Sequence, residues 1–132
     1  MGRLGLKQFA WLVRLLAGVT FFSIFANPVW GGAADIVNAE ISRNPNGDYD
    51  FTVTVRHADS GWDHYADRWD VITLDGETLG TRVLLHPHEN EQPFTRSLRG
   101  VAIPEGIVEV IIRARDSLHG YGGKELNVRL DR

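Results

Sequence analysis

All five histidines of the chain, at positions 57, 64, 86, 88 and 119, stand close to acids. Imidazole nitrogen binds zinc, copper, nickel or iron, and carboxylates complete such shells. His86 and His88 are separated by one residue, so an extended chain would point both rings the same way. His64 and His119 are the third and fourth candidates, and Asp63, Asp67 and Glu89 supply oxygen. There is no cysteine, and the single methionine is Met1. An ion held beyond the N-terminal segment must therefore be held by nitrogen and oxygen. That donor set suits zinc or cupric copper and disfavours cuprous ion, which prefers sulfur.

Other readings compete for the same residues. His57 continues the parity of Phe51, Val53 and Val55, which makes it a buried ring held by one hydrogen bond. Loop histidines also serve to hydrogen-bond backbone, and no HExxH spacing is present. Ser60 lies near His57 and Asp59, but Ser60-Gly61 reads more simply as a turn than as a nucleophile. The pairs Glu89/Glu91 and Asp63/Asp67 would do acid–base work only if their pKa values separated. Trp62, Tyr65 and Tyr121 form a candidate interaction surface, whereas Trp69 lies within a strand and belongs to the core.

The elements that must position these residues are strands. Tyr49–His57 alternates strictly, with Phe51, Val53 and Val55 inward. Similar runs occur at 34–42, 68–74, 77–85, 94–99, 107–115 and 124–130, separated by turn signals such as Asn46-Gly47 and Asp75-Gly76. Val108, Val110, Ile112 and Ala114 share one face of the sixth run, and Leu126, Val128 and Leu130 point inward from the seventh. No segment carries a sustained helical stripe. Seven short strands in about 100 residues predict an all-β, immunoglobulin-like or fibronectin-III-like sandwich. In such a sandwich the turns after strands two, four and six share one end. The 57–67, 86–93 and 116–123 loops would thus collect every histidine there.

Residues 1–33 predict a secretory signal peptide, leaving 34–132 as one domain. Arg3, Lys7 and Arg14 form a basic region, Leu15–Ala26 is apolar and uncharged, and small residues follow at 31–34. Cleavage fits after Gly31, Ala33 or Ala34, and no cysteine follows the apolar run to accept a lipid. The expected location is periplasmic or secreted, with no stable membrane anchor after cleavage. Residues 34–132 hold 11 basic and 17 acidic side chains, a formal charge of −6. Such a balance gives no basis for nucleic-acid binding. Without disulfides, stability must come from packing and sheet hydrogen bonds, helped by a metal or by oligomerisation.

The segments GWDHYADRWDV, LLHPHENEQPFTRSL and ARDSLHGYGGK resemble those of small exported bacterial proteins of unassigned function. That resemblance implies export and one domain, and it transfers no role to any residue. The sequence thus favours a periplasmic accessory or binding domain with a loop-end His/acid cluster for a divalent transition metal. Its partner would be a periplasmic protein or small ligand. The alternatives are a metal-free protein-interaction module using the aromatic loops and, less favoured, a weak hydrolase.

Overall fold

Alternation of apolar and polar side chains sets the pleat of each strand, and burying the apolar face forces two sheets together. The computed structural model describes residues 32–131. The expected signal peptide lies outside them but for its last two residues, 32 and 33. Seven strands follow one another: β1 (Asp35–Arg43), β2 (Tyr49–Arg56), β3 (Ala66–Ile72), β4 (Thr78–Val83), β5 (Phe94–Val101), β6 (Glu109–Asp116) and β7 (Leu126–Arg129). One sheet has the order β1-β2-β5 and the other β4-β3-β6-β7, with every pairing antiparallel. The chain is therefore an all-β sandwich of the immunoglobulin or fibronectin-III kind. Its β4 pairs with β3 and not with β5, unlike the fourth strand of immunoglobulin constant domains, which pairs with the fifth.

The core lies between the sheets. Tyr49, Phe51, Val53 and Val55 of β2 face Trp69 and Val71 of β3 and Val110, Ile112 and Ala114 of β6, all buried. Trp69 is fully enclosed, as its place in the third run required. Val108 differs from expectation: it precedes β6, serves as a backbone acceptor for Leu130 N–H, and is 48% exposed. Leu126 and Val128 are only half-buried, because β7 is an edge strand with a neighbour on one side.

β3 begins at Ala66, two residues before the expected start. Ala66 N–H donates to Asp59 Oδ1 at 2.9 Å, Ser117 N–H donates to Tyr65 O at 2.9 Å, and Ala66 pairs with Asp116. The loop after β2 is thereby tied to the end of β6. The connections after β2, β4 and β6 all lie at one end, where the histidines gather.

Candidate metal centre

β2 ends at Arg56, and the next residue keeps its inward parity, so the His57 ring enters the sandwich end with 4% exposure. Gly61, at φ +77°, then lets the chain double back, with Ser60 N–H donating to His64 O at 2.8 Å. This turn returns His64 over His57. From β6 comes Asp116, whose backbone exchanges two hydrogen bonds with Gly120. Its Oδ1 accepts Leu118 N–H at 2.6 Å and His119 N–H at 2.7 Å, a local turn that leaves Oδ2 for the histidines.

Three imidazoles converge on that single oxygen. His57 Nε2 lies 2.9 Å from Asp116 Oδ2, His64 Nε2 2.8 Å and His119 Nδ1 2.9 Å. The Nε2 atoms of His57 and His64 are 3.2 Å apart, and their rings meet edge to face. The far side of His57 is also committed, since Nδ1–H donates to Asp59 Oδ1 at 2.5 Å. Asp59 in turn accepts Ala66 N–H on Oδ1 and His88 N–H on Oδ2.

The side chains of Asp59 and Asp116 are both fully buried. Burial favours the neutral acid in each, yet the bonds they accept win. His57, His88 N–H and Ala66 N–H hold Asp59 below the usual carboxylate range. His119, His64 and Leu118 N–H hold Asp116 well below it. Burial likewise opposes charge on His57, but its bonds to Asp59 and Asp116 raise its pKa. The site contains two buried negative charges and must balance them.

A divalent cation suits that balance. With Nδ1–H given to Asp59, a neutral His57 presents a lone pair toward the Asp116 carboxylate and His64. Either a second proton or a shared cation relieves that opposition. For zinc, ligand distances of about 2.0–2.1 Å imply tetrahedral edges of about 3.3 Å, against 3.2, 2.9 and 2.8 Å here. A point about 2 Å from all three donor atoms lies about 1 Å out of their plane. His57, His64 and Asp116 form a cluster able to chelate a divalent metal ion. Asp59 would orient His57 in the carboxylate–histidine–metal manner. His119, with 46% side-chain exposure, flanks the cluster on its solvent side.

Of the residues expected to bind metal, His64 and His119 meet at this cluster. His86 and His88 do not. Their rings lie together, with centroids 4.5 Å apart, but His88 stacks on Phe94 and His86 is exposed. Asp67 is held by Arg115, while Asp63 and Glu89 are exposed. Trp62 and Tyr65 form an aromatic pair with centroids 5.6 Å apart. Tyr121 stands away from it, with its hydroxyl donating to Asp70 at 2.5 Å and Arg113 lying over its ring. His57 makes three side-chain contacts, not the one expected of a structural ring. Asp116 was not among the expected ligands. Its position three residues before His119 was the available signal.

The fold and site together define a class: a β-sandwich with a metal-capable His/Asp cluster at one loop end. No family model matches the chain, and no solved structure matches it significantly. It is similar to a protein of Halomicrobium mukohataei named "Putative lipoprotein", with 43% identity over 95 residues. The match covers 72% of this chain and 46% of that protein, so the chain spans about half the length of this curated relative.

Proposed function

We propose that this chain is an exported binding or accessory domain that holds one zinc or cupric ion through His57, His64 and Asp116, with His119 beside them. The observation that carries the reading is the pair of fully buried carboxylates among three imidazoles. Two neutralising charges from one divalent ion balance them, and the nitrogen–oxygen donor set suits zinc or Cu(II). Export is supported by the leader pattern and by the lipoprotein name of the Halomicrobium relative. The same two observations support a periplasmic or secreted location. Among the described residues no helix is long and apolar enough to cross a membrane.

Calorimetric titration of chelator-stripped protein with zinc and cupric ions tests this reading. One site with Kd below about 10 µM is expected. It should be lost when His57, His64 and Asp116 are replaced together, and retained when His86 and His88 are replaced. Failure to bind either ion, or binding that survives the triple replacement, would overturn the assignment. A second reading, a metal-free protein-interaction module, draws on Trp62, Leu85 and Leu118 at the same end. They are 66%, 76% and 63% exposed. Protein that binds neither ion would favour it.

A further inference from the structure

Beside the metal centre, the loop after β4 and the turn at Gly61 and Trp62 enclose an open hollow of about 450 Å³. That size falls within the range of small-molecule sites. Its wall includes Trp62, His86, His88, Glu89, Asn90 and Glu91, with no lysine or arginine among the lining residues. Glu91 is occupied by a bidentate pair with Arg96, at 3.1 Å on both oxygens. Among the described residues, no ion pair engages Glu89. Trp62, 66% exposed, lines the same hollow. A carboxylate beside an exposed aromatic face attracts a cation.

His88 borders the same hollow, and its ring is packed away from it. His88 is 5% exposed, and neither ring nitrogen has a hydrogen-bond partner. Its nearest carboxylate oxygen, Asp59 Oδ2, is 4.0 Å from Nδ1. Burial, with Arg96 and His86 nearby, lowers the His88 pKa, so this ring adds no positive charge to the wall of the hollow. His86 is exposed, and its Nδ1 is engaged with Pro87 O at 3.0 Å, leaving Nε2 as an acceptor.

We propose that this hollow binds a small organic cation carrying a primary ammonium or guanidinium group. Trp62 covers its apolar part, Glu89 pairs with its charge, and His86 Nε2 accepts one of its N–H groups. A second metal ion is disfavoured because, among the described residues, the 86–91 donors do not form a group of three close enough to hold one. The donor group that comes together within 4.8 Å among the described residues is His57, His64 and Asp116.

Agmatine, which carries both cationic groups, is the probe. Calorimetric titration of metal-stripped protein should give saturable binding with Kd below about 1 mM. Glu89→Gln and Trp62→Ala should each weaken it at least about five-fold, and added salt should weaken it further. Both residues are exposed, so the variants should keep the fold. His64→Ala should leave agmatine binding unchanged, which separates this site from the metal centre. Absence of saturation at about 10 mM agmatine, affinity unchanged from the wild type in either hollow variant, or equal binding of sodium acetate would overturn the proposal.

Discussion

Asp59→Asn is the substitution that most directly tests how the centre is held. Asp59 accepts three donors: His57 Nδ1–H at 2.5 Å, Ala66 N–H at 2.9 Å and His88 N–H at 2.7 Å. Asparagine has nearly the same shape but only one acceptor oxygen. If that oxygen stays with His57 and Ala66, the new NH2 group faces the His88 N–H and leaves it unpaired, costing about 1–3 kcal/mol. The bond to His57 also loses its charge assistance and roughly half its strength. A stability loss of about 2–3 kcal/mol corresponds to a Tm decrease of about 8–20 °C for a domain this size. Zinc affinity should fall about 10–100-fold, since the imidazole that binds the ion is no longer oriented by a carboxylate. Thermal unfolding by circular dichroism and calorimetric zinc titration read the two effects separately. A variant with unchanged Tm and unchanged zinc affinity would refute the role given to Asp59.

The metal-free protein should change stability with pH in a definite sense. The raised His57 pKa contributes stability that is fully present below its ordinary value of about 6.5 and is lost as pH rises through the folded value. The lowered Asp59 and Asp116 values contribute stability present above about 3.9 and lost on acidification through their depressed values. Zinc competes with protons for the imidazoles, so the Tm gain on adding zinc should grow from about pH 6 to pH 8. Thermal melts across that range check both trends, and a metal-free Tm that climbs steadily above pH 6 would contradict the His57 assignment. Trp69→Ala should cost about 3–5 kcal/mol in denaturant unfolding, whereas Trp62→Ala should stay within about 0.5 kcal/mol. Gly123→Ala places a Cβ against the Ala34 carbonyl and should lower Tm measurably, because backbone atoms must move apart.

The strands were legible because alternation is a local property. Tyr49–Arg56 declares its buried face within eight residues. Trp69 could be placed in the core for the same reason. The sharing of one end by the three histidine loops followed from antiparallel topology alone. The ligand set was harder, because it depends on side chains far apart in sequence. Parity showed that His57 turns inward, but its partner Asp116 lies 59 residues away and meets it through the pairing of β3 with β6. His86 and His88 do lie side by side, yet Phe94 supplies a stacking face for His88, and periodicity does not report such contacts. Tyr121 folds onto the outer face of a sheet because Arg68, Asp70 and Arg113 form a polar patch there.

Asp116 and His57 also have a consequence for the unfolded chain. A secreted domain of this size often ties distant segments with a disulfide, and this sequence has no cysteine. An ion joining His57 to Asp116 would staple two points 59 residues apart. A covalent link closing a loop of that length removes denatured-state entropy equivalent to about 4 kcal/mol. A coordinate link approaches that figure only while the ion remains bound. The domain would then carry a removable cross-link, set by the free metal concentration of its compartment and not by its redox state. Its resistance to unfolding would rise when the ion is captured and fall when a stronger chelator takes it away.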